Sequence, residues 1–485
     1  MATTTSNNEP GAATRRAQAL STWDTVSVIV GIVIGAGIYE TPPLIFGNVA
    51  TPGLAMVAWI AGGLLCLNGA FTYAELASAY PRSGGDYVYL TRAYGSWVGF
   101  LFGWAQISVI LTGSIGMMAY VFADYASTLW NFGPATTLVY ACASVIVLTL
   151  SHAAGLALGK RVQNVLSSAK LLGLAAVVLA AFAFAAPAEG AAPVEQLSTA
   201  DALSTLVGAS FAFALVQVFL TYGGWNDAAF FVAEMADRRK IVRALTLGIL
   251  VIMATYLLVN LAYLRVLGFQ GSRDSQAIAA DTMEQAVGPT GARAVALLVA
   301  VSALGAVNGL IFAGSRVYAA VGKDHRAFAL LARQDAQFRT PLWSLGAQAA
   351  VTLAMLLAVG TPFGQAALNA VFSRIGLGEV AWEGKGGFEL LLQCTAPVFW
   401  LFFLLTSVSL FVLRYREPGV PRPFRAPLYP LAPLFFVATC GYMFYGGLQY
   451  AGNLSLVGFG LLLVGLPVYW LSRYAGPTHT RETND

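Results

Sequence analysis

Two glycine clusters and one lysine stand out as residues whose types and spacing could do chemistry. The first cluster is Gly35-Ala36-Gly37-Ile38, which closes the apolar run 28–38 and precedes Pro42-Pro43. The second is Tyr222-Gly223-Gly224, followed by Trp225-Asn226-Asp227. Glycine costs roughly 1 kcal/mol relative to alanine in a helix interior, so two glycines within three residues mark a place where a helix opens. In a bilayer, opened backbone is tolerated only where it is buried in protein or lines a wet cavity. The free N–H groups at the start of one half-helix attract a carboxylate, and the free C=O groups at the end of the other accept from an ammonium. A site that offers both suits a zwitterion. The same glycines, Gly31 and Gly35 above all, also fit close helix packing of the small-xxx-small kind, and the pattern alone leaves that alternative open.

Lys170 lies ten positions beyond Lys160-Arg161 in an apolar run. At helical rise that is roughly 15 Å into a bilayer, where a lysine costs at least ~2.5 kcal/mol. It either has a function at that depth or reaches back to the interface along its own stem. Asp227 sits near the start of a half-helix, at its positive dipole end. It is either a helix cap or a partner for a cationic side chain, an amine or Lys170. Cys66, Cys142, Cys394 and Cys440 all lie in apolar runs with no CxxC or Cys/His spacing and read as small hydrophobes. With three histidines in all, neither a metal site nor a cofactor is expected, and no basic cluster interleaved with aromatics suggests nucleic acid.

These residues need elements to hold them. The chain has 485 residues, 58% hydrophobic and 10% charged, whereas a soluble domain carries roughly 25% charged residues. So little charge cannot cover a water-facing surface, and lipid must be the main solvent. Runs long enough to span fall near 22–46, 53–79, 97–125, 136–154, 162–185, 202–235, 242–266, 291–320, 341–360, 388–414, 428–450 and 453–473, predicting an all-α membrane protein of twelve crossings. The stretch 361–387 is long and mixed, with room for a further short helix. With the N-terminus inside, 21 of the 27 Lys and Arg fall on inner segments, five on outer ones, and Lys170 alone within a span; this is the asymmetry expected of a correct count. No cleavage site follows the first apolar run, so no signal peptide is expected, and residues 1–21 and 474–485 read as cytoplasmic tails, the first disordered. The two glycine breaks fall in the first and sixth spans. An odd offset places them in helices of opposite direction, the mark of two inverted five-helix repeats, 22–185 and 202–414, followed by two further helices in 428–473.

Four stretches in order resemble the amino acid–polyamine–organocation transporters, and within them the L-type amino acid transporter branch. They are Gly31-Ile32-Val33-Ile34-Gly35-Ala36-Gly37-Ile38, with Ala36 for the family's Ser and Tyr39 for its Phe; Tyr73-Ala74-Glu75-Leu76 with Pro81-Arg82-Ser83-Gly84-Gly85-Asp86-Tyr87; Tyr222-Gly223-Gly224-Trp225-Asn226; and Pro421-Arg422-Pro423-Phe424-Arg425-Ala426-Pro427. The resemblance implies a LeuT-type fold and alternating access. It further implies that Gly35, Ala36, Gly37 and Ile38 hold the substrate backbone, that Tyr222, Gly223 and Gly224 line the second break with Asn226 and Asp227 beside it, and that Ser302 supplies a pocket hydroxyl, unless that hydroxyl bonds back to its own helix. In the same pattern Lys170 occupies the place of sodium in sodium-coupled relatives, so that proton loss and gain could accompany transport. Glu75 and Arg82 at the inner rim are a candidate gating pair, or a plain solvated interface.

The sequence departs from this branch at Asp227, usually uncharged there, and at Leu220, where an aromatic gate often stands; Phe219 or Tyr222 would serve instead. Animal relatives use an outer-loop cysteine to bond a glycoprotein, and residues 126–135 contain none, so a single prokaryotic polypeptide in the inner membrane is expected. The function expected is sodium-independent secondary transport of amino acids or related amines, proton-coupled or by exchange. An amino-acid sensor of the same fold without flux is the alternative. A membrane enzyme would show clustered acids or histidines, and a channel a filter loop or charged ring; neither is visible.

Overall fold

The computed structural model describes residues 20–35, 37–82, 84–185, 209–235, 240–275, 277–335, 340–374, 382 and 386–474. Ala36, the tails 1–19 and 475–485, and much of 375–385 lie outside them.

The protein is built from helices that are apolar on nearly every face. Helix α1 (Thr22–Val33) starts in a capping box, Ser21 Oγ accepting from Asp24 N–H and the Asp24 carboxylate from Ser21 N–H. It stops at the first glycine cluster and resumes as the short α2 (Gly37–Glu40) and α3 (Pro42–Gly47). Helix α4 (Pro52–Ala79) follows a Thr51 cap with Pro52 in its first turn. An amphipathic α5 (Asp86–Tyr94) leads into one long crossing made of α6 (Ser96–Ala105), a π-turn (Gln106–Ile110) and α7 (Leu111–Leu129). Helices α8 (Thr136–Ala153) and α9 (Leu156–Ala183) complete the first half.

The second half opens with α10 (Ala209–Thr221), which breaks and continues as a 3₁₀ segment, Trp225–Glu234. Next come α11 (Ile241–Asp274), kinked at Gly268 (φ 69°), and the short α12 (Ile278–Val287). Helix α13 (Pro289–Asp324) is followed by α14 (Ala329–Ala332), α15 (Leu342–Gly360), α16 (Pro362–Arg374) and α17 (Gly387–Arg416). Helices α18 (Leu431–Ala451) and α19 (Ser455–Tyr474) close the chain. Among the described residues ten helical runs are long and apolar enough to cross a membrane, and the interrupted first and sixth crossings make twelve. The mixed stretch after α15 does hold a further helix, α16, whose 13 residues are too few to span.

Side-chain exposure follows lipid as solvent. Leu172, Leu179, Val147 and Leu150 are each more than three-fifths exposed on crossing helices, an arrangement water would penalise and hydrocarbon does not. Helix α13 is the central post, packed most heavily on α7 and also on α9 and α1. Its glycines permit that approach: a Cβ on Gly305 would meet Lys170 Nζ at 2.9 Å, and one on Gly309 would meet Ile32 at 2.5 Å.

The Arg-rich end is tied by ion pairs. Glu75 on α4, 1% exposed, accepts from Arg414 Nε (2.8 Å) and Nη2 (2.5 Å) at the end of α17 and from the Ala426 N–H (2.6 Å), with Arg422 Nε at 3.5 Å. Arg82 instead pairs with Asp324 at the end of α13 (2.6 Å), whose other oxygen accepts from Tyr87 Oη (2.8 Å). Glu75 and Arg82, from sequence a candidate gating pair or a plain solvated interface, are thus not each other's partners: Glu75 points into protein and Arg82 is half exposed at the rim.

Candidate functional site

The hydrogen-bond ladder shows how each crossing opens. In α1 the last regular bond runs from Ile34 N–H to Val30 O (3.0 Å), and then Gly35 N–H turns to Val33 O (2.8 Å). Gly31 O thereby loses the donor that a continuous helix would have supplied. In α10 Tyr222 N–H still reaches Val218 O (3.1 Å), but Gly223 N–H takes Leu220 O (3.0 Å), leaving Phe219 O without its helical donor. At the other side of each break a new helix starts with unpaired N–H groups, as every helix does. Both glycine readings hold together. Gly31 serves packing, since a Cβ there would overlap the Gln163 amide, whereas Gly224 (φ 106°) takes a backbone shape that favours glycine and lies against Ile32.

Lys170 does not reach for the interface. It is fully buried, and its Nζ donates to Ile34 O (2.6 Å), Gly31 O (2.8 Å) and Ser302 O (2.9 Å). Three carbonyls from α1 and α13 thus take the three N–H bonds of one ammonium, including the carbonyl orphaned by the break. Ser302 Oγ does not bond back to its own helix; it donates to Ile34 O (2.9 Å). Tyr256 on α11 donates toward both breaks, to Val33 O (3.1 Å) and Thr221 O (3.2 Å). A tyrosine in an apolar run reads in sequence as packing, and only the position of α11 beside both breaks reveals this role. Thr41 and Thr221 add a hydroxyl contact between the same elements at 2.9 Å.

The carbonyls ending α1 are therefore largely claimed by Lys170, Ser302 and Tyr256, while the N–H groups of Ile38 and Tyr39 begin a helix. Tyr39, 2% exposed, carries a hydroxyl with no hydrogen-bond partner within bonding geometry among the described residues, with Ser302 and Tyr125 close by. Phe219 is buried against Trp400 (ring centroids 5.6 Å apart), and Tyr222 is locked by its hydroxyl on Trp59 O (3.2 Å). Leu220 is 37% exposed on the opposite face of the same turn. Asp227, 7% exposed, is not paired with Lys170; its Oδ1 accepts from Asn226 Nδ2 (3.1 Å).

Gly224→Ala puts a Cβ 2.6 Å from Ile32 Cγ2 in left-handed backbone. It is expected to lower stability by about 1–2 kcal/mol, read as a reduced thermal midpoint in detergent; an unchanged midpoint would show that the turn relaxes freely.

An all-helical bundle of twelve crossings, opened at the first and sixth, with an ammonium seated on the backbone of the first opening, defines a solute carrier of the LeuT type. The family model for amino acid permeases matches residues 20–469, and the chain belongs to that family. It is similar to the serine/threonine exchanger SteT of Bacillus subtilis (strain 168), with 26% identity over 92% of this chain and 94% of that one. The large neutral amino acids transporter small subunit 2 of Homo sapiens is 27% identical over 92% of this chain and 79% of its own length. The human b(0,+)-type amino acid transporter 1 is 26% identical over 83% and 77%. The chain is thus a multi-pass membrane amino acid transporter, and the membrane-enzyme reading falls away.

Proposed function

We propose that this protein moves neutral amino acids by alternating access without sodium, the Lys170 ammonium standing where a sodium ion would otherwise hold the first break to α13. The observation that carries the proposal is the seat of Nζ on Gly31 O, Ile34 O and Ser302 O. Such a shell of carbonyl oxygens suits a small cation. The substrate carboxylate goes to the N–H groups that begin α2, around Gly35, Ala36, Gly37 and Ile38. Its ammonium goes to the Phe219 carbonyl and its neighbours at Tyr222, Gly223 and Gly224, with Ser302 and Asn226 shaping the surroundings. Phe219 and Tyr222 close over it.

The names of the relatives, a serine/threonine exchanger and a large neutral amino acid carrier, support a neutral substrate. The Tyr39 hydroxyl, unpartnered among the described residues, supports one with a polar side chain. On that basis Tyr39→Phe raises the KM for serine or threonine about tenfold and leaves that for alanine within about twofold, the worth of one hydrogen bond. Equal loss for both substrates would place the hydroxyl outside the pocket.

The cation asymmetry supports a cytoplasmic location for the Arg-rich end and both termini, and the repeats are taken as 22–185 and 202–414. Because residues 126–135 lack cysteine, the protein is proposed to act without a disulfide-linked partner. The test is uptake of a labelled amino acid panel into proteoliposomes, with and without sodium, a pH gradient and internal substrate. Binding without flux under every condition would favour a sensor instead.

A further inference from the structure

Two acids lie near the Arg-rich end, Asp86 with no role above and Asp227 placed only beside the second break. Asp86 opens α5, ahead of the third crossing, and is 3% exposed. Its Oδ2 accepts from Tyr73 Oη of α4 (3.2 Å), and its Oδ1 has no partner among the described residues. Asp227, 7% exposed, follows the second break and meets Asn226. The two segments are pressed together. Gly84 N–H donates to Phe230 O (3.0 Å), a Cβ on Gly85 would lie 2.9 Å from the Ala229 backbone, and Tyr73 packs edge-on against Trp225 (5.2 Å).

Among the described residues the groups acting on Asp86 are Tyr73 from α4, Asp227 from the 3₁₀ segment and, on its own helix, Tyr89, whose fully buried hydroxyl has no partner among them. Among the described residues neither carboxyl has a Lys, Arg or His partner. Burying two carboxylates in adjoining segments without a cation is costly if both are charged, and acids so placed relieve this by holding a proton. Burial and the Asp227 carboxylate push Asp86 well above the usual carboxylate range.

We propose that Asp86 and Asp227 together form a proton-binding site that closes the Arg-rich end of the transport path. It deepens the transport proposal by naming a coupling ion, and rests on that reading for its link to flux. Lys170 is a poor candidate for the coupling proton, because all three of its N–H bonds already serve carbonyls and releasing a proton would take one of those bonds away. The carboxyls belong to different elements, one leading into the third crossing and one following a helix break. Opening that end parts them, each returns to an ordinary acid, and the proton leaves to water. The sign follows: closing takes up a proton, so the closed end is favoured at low pH and loosens as pH rises through the pair's titration.

The test uses the full chain in lipid nanodiscs and hydrogen exchange at Gly84 and across 225–230, corrected for the intrinsic rate. From about pH 5.5 to about pH 8, wild-type protection is expected to fall about tenfold or more, and that of Asp86→Asn and Asp227→Asn by less than about twofold. A flat wild type, or variants that keep its slope, would overturn the proposal. So would an Asp227→Asn chain that keeps the slope and loses only competition by arginine and lysine, since the site would then hold a basic side chain. Proteoliposomes add a second reading: lowering internal pH slows wild-type serine exchange and leaves Asp86→Asn indifferent. If the exchange slope is present but no flux occurs, the proton site stands and the transport reading fails.

Discussion

Lys170→Ala is expected to reduce amino acid exchange in proteoliposomes to below about 1% of wild type, a loss of at least ~2.7 kcal/mol from the cycle. The reasoning is local. Removing Nζ takes a donor from Gly31 O, Ile34 O and Ser302 O in a buried interior and leaves Gly31 O, already without its helical donor, unpaired, while Ile34 O keeps Ser302 Oγ, and a buried acceptor left unpaired costs about 1–3 kcal/mol. Two of those carbonyls belong to the opened end of α1, so the damage falls on the shape of the break itself. Lys170→Arg does not rescue, because Gly305 leaves no room for a planar guanidinium: the existing ammonium already lies within 2.9 Å of where a Cβ would stand. Wild-type flux is expected to be equal in sodium and in choline. Sodium-dependent uptake that survives Lys170→Ala would contradict the assignment.

The second large effect is on stability. Glu75→Ala leaves Arg414 and Arg422 facing each other with their shared carboxylate gone, and frees the Ala426 N–H as well. Breaking a buried ion pair by deleting one partner costs about 3–5 kcal/mol, and here one carboxylate serves three donors. The thermal midpoint in detergent should fall by many degrees and α17 should lose its tie to α4. Arg82→Ala is the control, because its pair with Asp324 is half exposed and such pairs are worth about 0–1 kcal/mol. Equal midpoints for the two variants would mean that the Glu75 cluster is replaced by water at little cost.

The parts that could be read from sequence share one physical cause. Glycine pairs inside apolar runs and a lysine at mid-depth violate what a bilayer permits, and a violation in one residue type needs no knowledge of neighbours. The crossings at 53–79 and 388–414 were legible for the same reason, since length and apolarity alone decide them. What stayed hidden depends on distant partners. Tyr256 bridges the two breaks only because α11 lies beside both, and its hydroxyl signals nothing in a run of Leu, Val and Ile. Glu75 finds Arg414 across 339 positions, whereas Arg82, seven residues on, offered the plausible but incorrect nearby match. Asp227 was visible as a departure, yet its acidic neighbour Asp86 lies in a motif that reads as a loop signature. The hydroxyl of Ser302 was ambiguous until the end of α1 was seen to pass within 2.9 Å of it.

In the proposed function, transport depends on main-chain groups that only an intact amino acid, charged at both ends, can satisfy together. The direct measurement is competition against labelled serine uptake in sodium-free proteoliposomes. Unlabelled serine is predicted to compete, while its methyl ester, which lacks the carboxylate, and its des-amino acid, which lacks the ammonium, are predicted to fail. Equal competition by either analogue, or uptake that appears only when sodium is added, would contradict the account.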